Sequence, residues 1–195
     1  FTASGLLLAA MACERRRADT RNRLAASVFH HSVEGILITD AKGTIVSVNP
    51  AFSQLTGFPP DEALGETPRI LKSDHQDDAF YQAMWERIAR EGHWEGELWN
   101  RRRDGGVFVA HETISAVHDD VGQVMNYVSV FNDVTDLRKQ EERIEHLAYH
   151  DALTGLPNRE LLMDRLEQAL SLARRHRQRL AVLFVDLDNF KTVND

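Results

Sequence analysis

Two aspartates stand just after the last apolar run of the chain. Leu180 to Val185 is continuously hydrophobic and follows a basic stretch containing Arg174, Arg175, Arg177 and Arg179; Asp186 and Asp188 come next. A short apolar run of this kind reads as a buried central strand. Residues two apart on a strand share a face, so the two carboxylates can face one side. Oxygen ligands in that position suit a hard cation such as Mg²⁺, which keeps water and phosphate in its shell. For an isolated Asp-x-Asp the plainer reading is better: acidic residues end a strand and cap the helix that follows. Few other residues offer chemistry. The nine histidines show no ligand spacing, and there is no Gly-rich phosphate loop or nucleophile elbow.

The elements that would position such groups fall into two regions. Residues 24–34 read as a short helix. Ile36–Asp40 and Thr44–Val48 are short β runs joined by the turn Ala41-Lys42-Gly43, a hairpin. Asn49-Pro50 suits a helix start, with Asn as cap and Pro at the first helical position, and Gly57 ends that helix. Residues 76–91 carry an apolar stripe of Phe80, Met84, Trp85 and Ile88, the longest helical pattern in this half. Three strands follow, over about 94–101, 107–118 and 123–134, separated by Asp104-Gly105-Gly106 and Asp119-Asp120-Val121-Gly122. The pattern predicts an α+β domain with a five-stranded antiparallel sheet and helices grouped mid-sequence.

A helical linker connects this domain to the next. Leu137 and Ile144 occupy a positions and Leu147 a d position of a heptad, with Gln140 at the intervening d. Charged residues fill the other positions, so the segment is a candidate parallel coiled coil needing help from flanking domains. Beyond it, Gly155 and Pro157 are turn formers and Asn158 can cap a helix running to about His176. Leu161, Leu162, Leu166, Leu170 and Leu172 are available there for packing.

Bulk composition excludes several classes. The 195 residues carry a net charge of −7, so nothing electrostatic favours nucleic acid. The single cysteine, Cys13, rules out a disulfide framework and any multi-cysteine zinc site within the chain, and suits a reducing compartment. Residues 1–13 contain no charge, and Arg15, Arg16, Arg17, Arg21 and Arg23 follow within residues 14–23. A span needs about 20 apolar residues, so residues 1–13 read as the end of a transmembrane helix and 14–23 as its basic juxtamembrane segment. Arginines after an apolar stretch mark the cytoplasmic side. This places the chain at the inner membrane, with its folded parts in the cytoplasm.

Two families are recognisable in the motifs. Gly35-Ile36-Leu37-Ile38-Thr39-Asp40, Val48-Asn49-Pro50-Ala51-Phe52, Leu55-Thr56-Gly57-Phe58, Trp94-Glu95-Gly96-Glu97, Asn100-Arg101-Arg102-Arg103-Asp104-Gly105 and Asp133-Val134-Thr135, in that order, resemble a PAS sensor domain over residues 24–137. His150-Asp151-Ala152-Leu153-Thr154-Gly155-Leu156-Pro157-Asn158-Arg159 and Asp186-Leu187-Asp188-Asn189-Phe190-Lys191-Thr192-Val193-Asn194-Asp195 resemble the opening of an α/β GGDEF (diguanylate cyclase) domain over residues 150–195, with 138–149 as the signalling helix.

The resemblance implies roles. Asp186 and the backbone carbonyl of Leu187 would hold Mg²⁺. Asn189 and Phe190 would approach the phosphates of GTP, and Asn194 would bind the guanine edge. Asp133 and Thr135 would relay the signal. Trp85 and Asn100 match residues lining the pocket of FAD-binding PAS domains; an aromatic wall with one amide suits isoalloxazine chemically. A flavin–thiol adduct is excluded, because the PAS segment contains no cysteine, and a haem is disfavoured, because residues 76–91 contain no histidine. Each GGDEF domain carries one GTP, so a homodimer through PAS domain and linker is implied. The signature Gly-Gly-Asp/Glu-Glu-Phe loop is expected beyond residue 195, so this chain is read as a fragment that cannot catalyse alone. The leading expectation is a membrane-anchored, PAS-regulated diguanylate cyclase. The alternatives are an inactive GTP-binding GGDEF domain that regulates a following EAL-type phosphodiesterase, and a sensing and dimerisation module only.

Overall fold

The computed structural model describes residues 3–185. The chain divides between Arg138 and Lys139 into two compact units. The first begins with a long helix, α1 (Ala3–His31), of which the expected helix over 24–34 is only the end. Then come β1 (Gly35–Asp40), β2 (Ile45–Val48), α2 (Pro50–Thr56), α3 (Pro60–Ala63), a 3₁₀ turn over Pro68–Leu71 and α4 (Asp78–Glu91). Strands β3 (His93–Arg101), β4 (Val107–His118) and β5 (Val124–Asp133) complete the sheet. Its order is β2-β1-β5-β4-β3, antiparallel throughout. This is the expected five-stranded sheet with intervening helices. Among the described residues no helix is long and apolar enough to cross a membrane.

Local chemistry explains the boundaries. Asn49 is fully buried. Its Oδ1 accepts from the N–H groups of Phe52 and Ile36, both at 2.8 Å, and its Nδ2 donates to the carbonyls of Glu34 at 2.9 Å and Phe29 at 3.2 Å. One side chain thus caps α2 and ties it to β1 and the end of α1, satisfying groups that burial would otherwise penalise. Asp77 caps α4, accepting from Phe80 N–H at 2.8 Å, and Gly92 ends that helix at φ +78°. The hydrogen Gly35 carries in place of a side chain is also required: a Cβ there would lie 2.5 Å from Cζ of Phe131.

The core lies between sheet and helices in two apolar clusters. One contains Leu37, Ile45, Phe52, Leu71, Phe108 and Phe131. The other contains Met84, Ile88, Trp94, Leu98 and Ile114.

Helix α5 (Thr135–Tyr149) starts two residues after β5 and carries the chain into the second unit. There α6 (Arg159–His176) is capped by Asn158, whose Oδ1 accepts from Glu160 N–H at 3.0 Å and Leu161 N–H at 3.1 Å. The Nδ2 of the same residue donates to the Ala148 carbonyl at 2.6 Å. Asp151 closes the intervening turn by accepting from Thr154 N–H and hydroxyl at 2.9 and 2.8 Å. Thus Asp151, Thr154 and Asn158 all serve backbone geometry. One expectation fails here: Leu180–Val185 form no strand and are exposed. A strand exists only through hydrogen bonds to a neighbour, and no described segment pairs with this run.

Candidate functional site

A polar seam separates the two apolar clusters on the inner face of the sheet. It consists of Asn100 on β3, Glu112 on β4 and Ser129 on β5, only 5%, 7% and 5% exposed. Alternation along each strand sets them on one face. Ser129 Oγ donates to Glu112 Oε1 at 2.5 Å, and the Asn100 amide acts on the same carboxyl, favouring its charged form. Burial pushes the Glu112 carboxyl up to about 7, although both groups pull it down. Tyr81 on α4 is raised, first by its own burial; Lys72 opposes the shift and the charge of Glu112 adds to it. Ser73, fully buried, donates its hydroxyl to the Trp99 carbonyl beside the seam.

The two residues expected to line a ligand pocket are placed differently. Asn100 is inside the seam. Trp85 is 42% exposed, and its ring packs edge-on against Tyr127 at 5.2 Å. It lies on α4 with the stripe residues Met84 and Ile88, yet these two are buried and it is not. One position round a helix is 100° of rotation, enough to move a side chain from core to rim.

The second constellation is the corner where the sheet becomes α5. Asp133 Oδ1 accepts from the N–H of Thr135 at 2.9 Å and from its hydroxyl at 2.5 Å. Thr135 Oγ1 in turn accepts from Val109 N–H on β4 at 2.9 Å. Arg102, from the β3–β4 turn, pairs with Asp133 Oδ2, donates to the Leu55 carbonyl at the end of α2, and lies 4.3 Å from the Phe108 ring centre. Burial pushes the Asp133 carboxyl up, but the Thr135 bonds and Arg102 together hold it below its ordinary value. On the first turn of α5, Arg138 pairs with Glu97 on β3. Asp133 and Thr135 were legible in the sequence as site residues; Arg102, Glu112 and Ser129 were not. Charge in the Arg-Arg-Arg run did not say which arginine turns inward, and a glutamate in an otherwise apolar-inward strand register was the only trace of the seam.

Along α5 the heptad residues Leu137, Ile144 and Leu147 are exposed, Ile144 by 68%. His146 and His150 stack with ring centres 4.3 Å apart. Asp186, Leu187, Asn189, Phe190 and Asn194 lie outside the described residues. Among the described residues no three His, Cys, Asp or Glu side chains gather to hold a metal.

Comparison with known proteins assigns both units. Residues 33–136 match the family model for a PAS domain, and residues 148–195 match that for a diguanylate cyclase GGDEF domain. The chain is 30% identical over 137 residues to a nitrogen fixation regulatory protein of Klebsiella oxytoca, covering 69% of this chain and 28% of that protein. It is 32% identical over 168 residues to the probable diguanylate cyclase DgcE of Escherichia coli K12, covering 83% of this chain and 15% of the relative. Among solved structures, an RNA-binding light-oxygen-voltage receptor superposes with a TM-score of 0.59 at 28% identity, over 65% of this chain and 37% of that one. The chain therefore spans well under a third of the curated relatives named. With its five-stranded sheet, and with the match covering more than half its length, the chain belongs to the PAS-domain family, its PAS domain being followed by the opening of a GGDEF domain.

Proposed function

We propose that this chain is the sensing and transmitting part of a cyclic di-GMP signalling protein, a PAS-regulated diguanylate cyclase held at the inner membrane. The observation that carries the reading is the corner at Asp133–Thr135. It ties the last strand of the PAS sheet to the first turn of α5, and the GGDEF match begins at residue 148, on the last turn of that helix. A change in the sheet that disturbs this corner alters how α5 leaves it. The exposed heptad residues Leu137, Ile144 and Leu147 would pair two copies and so govern how two GGDEF domains meet. The likeness to DgcE supports GTP as substrate. The uncharged residues 1–13 and the arginines after them support the membrane attachment.

In the reaction, the 3′-hydroxyl of one GTP attacks the α-phosphate of the other and pyrophosphate leaves, at each of two sites in turn. Asp186 and the Leu187 carbonyl are oxygen donors, the set a hard cation takes. They would hold Mg²⁺, which supplies charge stabilisation at the phosphates. Asn189 and Phe190 would orient the phosphates, and Asn194 the base. For a flavin in the PAS domain, the inner face offers Asn100, which acts on the Glu112 carboxyl. Trp85, on the rim beside Tyr127, would not form the opposite wall. FAD is therefore proposed through Asn100 alone, and a chain that purifies colourless and takes up no flavin on reconstitution rejects it.

The decisive experiment uses the intact parent protein with GTP and Mg²⁺, with cyclic di-GMP read by mass spectrometry. Wild type should form product, and Asp186→Ala should lower the rate at least about a hundredfold. No product from a folded wild-type parent would reject the cyclase reading. An active Asp186→Ala variant would reject the metal role.

A further inference from the structure

Glu112 is an ionisable side chain in the middle of the sensor core whose partners are neutral. From β3 come the Asn100 amide and Gly96, its register partner; from β5 come the Ser129 hydroxyl and Phe131, its other register partner. From α4 the Tyr81 phenol feels its charge. Lys72, whose ammonium lies 4.8 Å from the Tyr81 ring centre, is paired with Asp78 at 2.7 Å. Among the described residues no ion pair joins a cation to Glu112. A carboxylate buried without a cation is costly and favours its neutral form.

The position of this group on the sheet gives it reach. Along the β4–β5 ladder Glu112 faces Phe131, and the next residue on the same face, Ala110, faces Asp133. Ser129, which binds the carboxyl, lies on the strand that ends at Asp133. Val109, next to Ala110 on β4, donates its N–H to Thr135. We propose that Glu112 is a proton-binding site of the sensor, and that loss of its proton leaves an unpaired charge in the apolar core, which destabilises the sheet around the Asn100–Glu112–Ser129 seam and is passed along β5 to the Asp133–Thr135 corner that starts α5. A proton then biases a two-state element, as any ligand with different affinity for two states does. The upward displacement of the carboxyl to about 7 puts the change near neutral pH. The inference concerns the PAS domain alone and stands whether or not the parent makes cyclic di-GMP.

The test uses the whole 195-residue chain. Infrared spectroscopy across a pH series should show a protonated carboxylic acid band that disappears near neutral pH and is missing from Glu112→Gln. Hydrogen exchange, corrected for intrinsic rates, should show protection of residues 129–137 falling over the same pH range in wild type but not in Glu112→Gln. Ser129→Ala is the second variant, and the one to rely on if Glu112→Gln does not fold. It removes a bond that holds the carboxyl down, so its band should disappear at higher pH, and protection at the corner should no longer follow the titration. A band that titrates in the ordinary carboxylate range overturns the proton site. Corner protection that ignores the titration in wild type, or follows it unchanged in Ser129→Ala, overturns the relay.

Discussion

Glu112 and Asp133 sit on neighbouring strands of one sheet, one same-face step apart on the β4–β5 ladder, yet their environments drive them in opposite directions. Each accepts a hydrogen bond at 2.5 Å from a hydroxyl, Ser129 in one case and Thr135 in the other. Burial pushes both up. At Asp133 a backbone N–H and Arg102 add to the hydroxyl and prevail, so its carboxyl stays below the ordinary value. At Glu112 the added partner is only the Asn100 amide, and burial prevails. The difference teaches that depth alone does not set the charge state of a buried carboxyl. A cation and a backbone donor within reach decide it. The corner that leads out of the domain is therefore held as an ion pair, while the seam inside it is poised to titrate.

The change that breaks the comparison outright is Phe131→Ala. Phe131 is 1% exposed; on β5 it faces Glu112 across the ladder and lies two residues before Asp133. Losing the ring should cost about 3–5 kcal/mol and disturb both sites, measured by denaturant unfolding. A loss below about 1 kcal/mol would show that the ladder does not rest on this residue.

Next in size is Arg102→Met, which keeps an apolar stem over Phe108 and removes the charge. It should cost about 1–2 kcal/mol at neutral pH and make Asp133 resemble Glu112. Because the folded-state value of Asp133 is lowered, its stabilisation is present above the ordinary carboxylate range and is lost as pH falls. The acid-side loss of stability should shrink in the variant. An unchanged slope in unfolding measurements between about pH 3 and pH 6 would show that Arg102 does not hold Asp133 ionised.

Glu112→Gln tests the opposite sign. The folded-state value is raised, so the stabilisation from Glu112 is complete below the ordinary carboxylate value of 4.5 and is lost as pH rises to about 7. A tenfold change in proton affinity is worth about 1.4 kcal/mol, so the wild type should lose at least that between those limits. The variant should be flat there. Equal pH dependence in both proteins would remove Glu112 from the account. The smallest effect is expected at Trp85→Ala: a half-exposed ring resting on Tyr127 should cost no more than about 1 kcal/mol by thermal unfolding. A loss of core magnitude would mean that this tryptophan is buried in solution.

Most elements of the first unit were legible because their signals are local. Asn49-Pro50 caps a helix through its own side chain, Gly43 and Gly57 turn at positive φ, and the three long strands are bounded by Gly- and Asp-containing turns. The second unit was legible only where the same local rules apply, at the Gly155 turn and the Asn158 cap, while the Asp151–Thr154 bonds came from the structure. The run Leu180–Val185 looked like a strand because apolar continuity reports burial preference, but strand formation needs a partner that the run itself cannot supply. Trp85 looked like a pocket or core residue because a helical stripe is about 100° wide or more, and one position at its edge can fall either way.

By itself the sequence determined the order of elements, the caps and turns, the PAS and GGDEF assignments, and the acidic residues Asp133, Asp186 and Asp188 as places to look. The tertiary structure decided which of three consecutive arginines reaches Asp133, that Asn100 is buried on the same face as Glu112, and that Glu112 is buried among neutral donors. Caps, turns and motif spacings are set by residues near one another in the chain, so a sequence carries them. The charge state of a carboxyl depends on what lies within a few ångströms from other strands and turns, and Arg102 reaches Asp133 across 31 positions of sequence. Only folding brings such groups together.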